Sequence, residues 1–229
     1  VPGTGWDKGV NMIITKQKPI KETLSAIKDA KKIFLIGCTL CATTCRTGGE
    51  KELEKLAKLL GHNGKEITGS VVLDPACSMM EVRRFCRKYR TVIDESDAVL
   101  SFACGGGTQA VSEALEGVKV YPGNDTLFQG DITKLTLQGG RFEQKCSLCG
   151  NCMLSETAGI CPVTRCPKSL LNGPCGGAKD GKCEIDKNMD CVWLLIYKRL
   201  KARGAIDNMK VIHDPKDHSL NNNPQSLDI

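Results

Sequence analysis

Four short, nearly unbroken apolar runs mark the first half of the chain: Lys32–Gly37 (KIFLIG), Gly69–Asp74 (GSVVLD), Ala98–Ala103 (AVLSFA) and Lys119–Tyr121. Runs of this length without period-two alternation are the pattern of parallel strands covered on both faces. Between them the apolar residues change to helical spacing. Leu53, Leu56, Ala57 and Leu60 follow a capping box at Thr47–Glu50, and Val82, Phe85, Cys86 and Tyr89 follow another at Ser78–Glu81. A third helix is predicted over Thr108–Glu116, with Val111, Ala114 and Leu115 facing inward. Strand–helix alternation at these lengths predicts a small α/β domain built on a parallel sheet.

That domain, Rossmann- or flavodoxin-like in class, is expected over 31–137. Residues 1–30 read as a lead-in ending in a short amphipathic helix after Pro19, with Ile20, Leu24 and Ile27 on one face. Met12 is a candidate natural start, which would make 1–11 an upstream extension. From about Gln138 the periodicity disappears. Residues 138–208 are rich in glycine, proline and cysteine, and only Cys191–Leu200 reads as a helix. A segment so poor in apolar residues builds little core, so a small metal-stabilised domain with a C-terminal helix is expected there. Beyond Met209 the chain turns polar, and 209–229 is expected to be a flexible tail.

Composition narrows the function classes. The chain has 229 residues, 41% of them hydrophobic, a net charge of +6 and aromatics at only 4%. No basic stripe is interleaved with aromatics, so nucleic-acid binding has little support. The longest apolar runs are too short to span a bilayer, so no membrane insertion is expected. Fourteen cysteines without a secretory leader point to a reducing, cytoplasmic setting, where clustered thiols are metal ligands more often than disulfides. The three histidines, His62, His213 and His218, lie far in sequence from the cysteine clusters, so the sites should be all-thiolate.

Three cysteines fall at predicted strand ends: Cys38, Cys77 and Cys104. Open α/β sheets bind ligands beyond the carboxyl ends of their strands, so these thiols should converge. Cys41 and Cys45 extend the first loop to C-x2-C-x3-C, giving five candidates for one four-cysteine site. Gly37 and Gly105–Gly107 would let backbone approach a bulky centre. Gly105–Gly107 lacks the lysine and the spacing of a phosphate loop. Cys86, four residues after Val82 on an apolar helix face, reads as core.

Eight more cysteines crowd the C-terminal region: Cys146, Cys149, Cys152, Cys161, Cys166, Cys175, Cys183 and Cys191. Eight is twice the four thiolates of one iron–sulfur cluster or one structural zinc. The opening C-x2-C-x2-C is ferredoxin-like in style, but the following Cys161-Pro162 and Cys166-Pro167 depart from ferredoxin spacing. The pattern favours two clusters over a cluster plus a zinc, and that over two zincs. Zinc stays an option at one set of four among Cys146 to Cys191. Trp193 and Tyr197, on the last helix, read as core or interface residues.

Six motifs together resemble the MetV family, the iron–sulfur partner subunits of anaerobic, acetogen-type methylenetetrahydrofolate reductases. They are Leu35–Gly49 (LIGCTLCATTCRTGG), Asp74–Cys77 (DPAC), Ala103–Gly107 (ACGGG), Cys146–Cys152 (CSLCGNC), Asn172–Gly177 (NGPCGG) and Cys191–Tyr197 (CVWLLIY). The Cys146–Tyr197 part is similar to the cysteine-rich region described as methylenetetrahydrofolate reductase C-terminal-like. The resemblance implies two to three [4Fe-4S] clusters on these cysteines and electron transfer to a MetF-type TIM-barrel flavoprotein, with FMN or FAD in that partner. It also implies a place in the methyl branch of the acetyl-CoA pathway and an upstream iron–sulfur or flavin donor. It does not divide the cysteines among centres.

Two rival readings stand beside it. One is a zinc-stabilised structural or assembly subunit of the same reductase, without a redox role. The other is an independent enzyme using the α/β cleft, against which stands a cleft edge of cysteines with no nucleophile–base pair and no catalytic residue to name.

Overall fold

The computed structural model describes residues 12–136 and 139–227, and the readings that fall on 1–11 lie outside the described residues. The chain divides into two compact units at Phe142/Glu143.

The first unit holds a parallel four-stranded sheet and an antiparallel three-stranded one. In chain order its elements are β1 (Met12–Gln17), α1 (Ile20–Ala26), β2 (Lys32–Cys38), α2 (Cys41–Thr44), α3 (Glu50–His62), β3 (Glu66–Leu73) and α4 (Met79–Asp94). Then come β4 (Ala98–Ser101), α5 (Gly105–Ala114), β5 (Val120–Pro122), β6 (Asn124–Thr136) and β7 (Gly139–Glu143). The parallel sheet has the order β3-β2-β4-β5, so the chain reverses direction across the sheet between β2 and β4. That is the switch point at which open α/β sheets take ligands.

Period two along β2 sorts its side chains to opposite faces. Ile33 and Leu35 enter one core with Ile27, Leu53, Leu60 and Leu100, under α1 and α3. Phe34 and Ile36 enter the other with Val82, Phe85, Ile93 and Val111, under α4 and α5. Both faces are covered, which is why β2 reads as an unbroken apolar run. Phe34 centres an aromatic cluster, 5.8 Å from Phe85 and 6.2 Å from Tyr89 between ring centroids. Cys86 is buried in that core, as its helical position predicts.

Several boundaries differ from the sequence reading. The second strand begins at Glu66, three residues before the glycine taken as its start, because Lys65 anchors the turn: its ammonium donates to the carbonyls of Ile27 and Ala30, both at 2.7 Å. Thr47 is not a helix cap. α3 begins at Glu50 with Gly49 as its cap, and the Glu52 carboxylate accepts the Gly49 N–H at 3.2 Å. Ser78 does cap α4, accepting the Glu81 N–H at 3.5 Å. α5 starts at Gly105 rather than Thr108, so the three glycines form its first turn.

The antiparallel sheet, order β1-β6-β7, was not anticipated. Met12–Gln17, read as lead-in, pairs with β6 from Met12 opposite Gly130 to Gln17 opposite Asn124, with a bulge between Ile14 and Thr15.

The second unit has little regular structure: α6 (Pro162–Arg165), α7 (Val192–Ala202) and two 3-10 turns at Ile206–Lys210 and His218–Asn221. Its core is one small cluster around α7, with Ile196 and Leu200 fully enclosed beside Ile160, Cys191 and Trp193. Among the described residues no helix is long and apolar enough to cross a membrane.

Truncating Phe34, 1% exposed, removes the hub of the larger core, and Phe34→Ala should cost about 3–5 kcal/mol of stability. Leu59→Ala, at a position 41% exposed, should cost under about 1 kcal/mol. Urea midpoints at constant slope test both, and equal losses would contradict the placement of this core.

Candidate metal centre

The carboxyl ends of the parallel strands carry the thiols that the sequence predicts there. Cys38 is the last residue of β2, Cys77 lies in the turn after β3, and Cys104 caps α5 just beyond β4. Cys41 opens the single-turn helix α2 and Cys45 closes it. Cys38 and Cys104 therefore flank the switch point.

Close backbone packing draws the first loop over this edge. A Cβ on Gly37 would stand 2.1 Å from the Gly48 carbonyl oxygen, and one on Gly48 would stand 2.0 Å from the Phe102 oxygen. No other residue type fits either contact. The same Gly48 carbonyl accepts the Cys38 N–H at 3.0 Å, and the Thr43 hydroxyl donates to the Cys38 carbonyl at 2.7 Å. On the other side, a Cβ on Gly107 would meet Ala103 at 2.9 Å and Ala76 at 3.1 Å, which seats α5 against the Cys77 turn.

The second sheet supplies contacts that sequence reasoning missed. The Ile13 N–H donates to the Cys41 sulfur at 3.3 Å, and the Cys45 thiol donates to the Ile13 carbonyl at 3.8 Å. Thr15 and Thr47 share a buried hydroxyl–hydroxyl bond of 2.6 Å. The Asn124 amide donates to the carbonyls of Phe102 and Ala103, and the Thr126 hydroxyl accepts the Gly105 N–H at 2.7 Å. β1 and β6 thus hold the Cys41 and Cys104 loops from one side. The apolar positions of Met12-Ile13-Ile14 were the one available signal.

Charge links the five thiols. Burial pushes the Cys41 thiol up, as do the neighbouring Cys104, Cys38 and Cys45, while the Ile13 N–H opposes the shift. Burial likewise pushes Cys77 up, with Cys104 and Cys38 adding to it. Cys38 and Cys104 are common to both sets. Among the described residues, however, no three or more His, Cys, Asp or Glu side chains stand together as a group that could hold a metal ion. Thiolate on Cys41 and Cys77 is disfavoured by burial and by neighbouring thiols, a penalty that the charge of a bound thiophilic cation would reverse.

In the second unit Cys166, Cys175, Cys183 and Cys191 line a single cavity with Trp193 and Leu170. Two of them lie on the paired arms of a small hairpin: the Cys183 N–H donates to the Met189 carbonyl and the Cys191 N–H to the Gly181 carbonyl, on either side of the Lys182–Asp190 bridge. Trp193 is core, its indole N–H donating to the Leu170 carbonyl at 3.1 Å, whereas Tyr197 is exposed. Glu184, not anticipated, accepts from the Cys175 thiol at 3.2 Å and from Lys168. A Cβ on Gly177 would lie 1.8 Å from its carboxylate, so the glycine after Cys175-Gly176 makes room for this acid.

Cys146, Cys149, Cys152 and Cys161 fall outside that cavity's lining. The Leu148 N–H donates to the Cys146 sulfur at 3.4 Å, and the Cys161 thiol reaches the Thr164 hydroxyl at 3.6 Å. The loop between them winds through positive φ at Leu148 (56°) and Gly150 (74°). The stretch read as a tail packs on it. A Cβ on Gly150 would stand 2.7 Å from Leu220, Lys216 donates to the Asn151 carbonyl, and the His213 N–H donates to Asn172 at 2.7 Å.

Against known proteins, residues 121–219 match a domain-family model described as methylene-tetrahydrofolate reductase C terminal. The match runs from β5 through all eight C-terminal cysteines and relates this part of the chain to methylenetetrahydrofolate reductase. No curated protein matches the chain. Among solved structures, an unliganded arylmalonate decarboxylase is similar at 20% identity and a TM-score of 0.32, covering 45% of this chain and 45% of that one. The chain therefore spans less than half the length of that protein, and a likeness so slight carries no argument.

Two outcomes test this geometry. In metal-free protein the raised pKa of Cys41 and Cys77 leaves less thiolate at pH 8, so iodoacetamide should label them with midpoints above the ordinary thiol value of about 8.5. Site-resolved mass spectrometry across pH reads this, and midpoints at or below the ordinary value would contradict it. Gly48→Ala should destabilise the fold by about 1–3 kcal/mol, since its Cβ meets the Phe102 carbonyl, while Gly61→Ala, with open space around it in α3, should be neutral or stabilising. Equal melting temperatures for the two variants would refute the close approach.

Proposed function

We propose that this chain is the electron-transfer subunit of a methylenetetrahydrofolate reductase complex, of the MetV kind. It would carry [4Fe-4S] clusters and deliver electrons to a flavin, FMN or FAD, in a separate MetF-type subunit. The observation that carries the reading is the placement of Cys38, Cys77 and Cys104 just at or beyond the carboxyl ends of the parallel strands, with Cys41 and Cys45 in the turn that follows β2. An enzyme of this fold class would place its substrate-handling groups there. The family match over 121–219 supports the choice of reductase.

Three groups of residues would serve as ligands: four of the five strand-end thiols, the set Cys166, Cys175, Cys183 and Cys191, and the set Cys146, Cys149, Cys152 and Cys161. Bound clusters would supply one-electron redox chemistry that no side chain here can perform. The chain's own residues do the remainder. The Ile13 N–H offers a hydrogen bond at the Cys41 sulfur, a contact of the type that tunes a cluster's potential. Burial of Cys38 at 5% exposure limits water access on the inner side. In the second unit, Lys168 is paired with Glu184, which also accepts from the Cys175 thiol, so a cation stands beside that cysteine.

Zinc at one site has its own support. Cys191 belongs to the small core around α7, so the set lining the Cys166–Cys191 cavity would staple a unit whose core is small. A chain with zinc there would keep a shorter relay through the other centres.

Anaerobically purified protein should contain about 8–12 iron and matching acid-labile sulfide per chain, for two to three clusters. Zinc near one equivalent with correspondingly less iron would assign one C-terminal set to zinc. Zinc with little sulfide would overturn the redox reading and leave a structural subunit.

A further inference from the structure

Helix α4 leaves the cysteine edge directly. Cys77 is exposed, Ser78 caps the helix, and Met79 begins it. Val82, Phe85, Cys86 and Ile93 face the core. The opposite side presents Met80, Arg83, Arg84, Arg87 and Lys88, all exposed. With Glu81 they line one broad surface hollow. Four cations thus face a single carboxylate, which is itself paired with Arg84 at 2.9 Å.

The face concentrates positive charge with little to offset it. Arg83 with Arg87, and Arg84 with Lys88, are like-charge pairs at i,i+4 spacing, which repel along a helix. Met80 stands 82% exposed at the end nearest Cys77. Arginine and methionine are the residues enriched in protein interfaces, arginine for bidentate carboxylate contacts and methionine for adaptable apolar ones. The ridge spans about 12 Å from Met80 to Lys88, at 1.5 Å per residue. It carries no exposed aromatic on which a base could stack, which separates it from a nucleic-acid groove.

We propose that this ridge is the docking face for a small acidic electron-carrier protein, whose carboxylates engage Arg83, Arg84, Arg87 and Lys88 while Met80 packs at the contact nearest Cys77. The inference rests on the electron-transfer reading above and adds the partner's chemistry and its place of entry. A centre held by the strand-end cysteines would take one electron from the reduced carrier, the carrier being oxidised and no bond or proton moving. Complementary charge would steer the encounter and make its rate fall with salt.

The test uses the full chain, purified anaerobically, and an acidic two-cluster ferredoxin as the probe. The triple variant Arg83→Glu, Arg84→Glu, Arg87→Glu is compared with a control of equal charge change on the other sheet face, Lys21→Glu, Lys28→Glu, Lys58→Glu. Circular dichroism checks that each folds, and Arg→Lys at the three ridge positions checks that charge rather than packing is read. Two readouts are taken across ionic strength: ferredoxin binding by titration, and stopped-flow reduction by reduced ferredoxin beside reduction by dithionite. At low salt the ridge variant should lose at least about tenfold in binding and in ferredoxin-driven rate. The control and the Arg→Lys variant should stay near wild type, with dithionite reduction equal in all. If ferredoxin binds and reduces the ridge variant as it does wild type, the docking face is refuted and the electron-transfer reading survives. If dithionite reduces nothing in wild type, the electron-transfer reading fails, and the binding arm alone then decides the docking face. Tighter binding of a short oligonucleotide than of ferredoxin at the same residues would refute the protein partner.

Discussion

Burial beside other thiols disfavours ionisation of Cys41 and Cys77, and the first unit nonetheless sets five cysteines along one sheet edge. Parallel strands bring Cys38, Cys77 and Cys104 to the same end, and the reversal of strand order between β2 and β4 opens a crevice between two of them. A third region, the Cys41–Cys45 turn, is folded down by contacts between backbones that only glycine permits at Gly37 and Gly48. Burial and mutual charge hold Cys41 and Cys77 above the ordinary thiol range. A bound cationic centre would offset that penalty.

The two units use different means to the same end. In the first, a doubly covered sheet with two full cores carries the cysteines at its rim. In the second, the apolar cluster around α7 is small, and four cysteines line one cavity beside it. There Cys191 belongs both to the core and to the cavity lining, so a metal bound on this set would couple to stability. Glu184 and Lys168 add a compensated charge pair at the rim of that cavity, accommodated by Gly177.

Much of this was legible in the chain because burial on both faces leaves a plain signature. Lys32–Gly37 and Ala98–Ala103 could be read as strands since nearly every residue is apolar, and the thiols just after them followed. Three features were not legible, for separate reasons. The antiparallel sheet escaped because β6 contains Asp125, Asp131 and Lys134, and half-exposed strands resemble loops in composition. The cap of α3 was misplaced because Thr47 fits a capping box in sequence, while its hydroxyl is engaged with Thr15, a partner 32 residues away. α5 began early because three glycines disfavour a helix locally, yet Gly107 is needed for the close approach to Ala76. Glu184 carried no signal at all, since one acid beside a cysteine is ordinary.

The account stands or falls on whether electrons leave this chain for a flavin. The direct measurement mixes dithionite-reduced chain, freed of excess reductant, with the oxidised MetF-type flavoprotein in a stopped-flow cell under anaerobic conditions. The account predicts bleaching of the flavin absorbance with matching reoxidation of the chain's own broad iron–sulfur absorption, in electron-equivalent amounts. A tight complex that forms without any change in flavin absorbance would contradict it and leave this chain a structural partner.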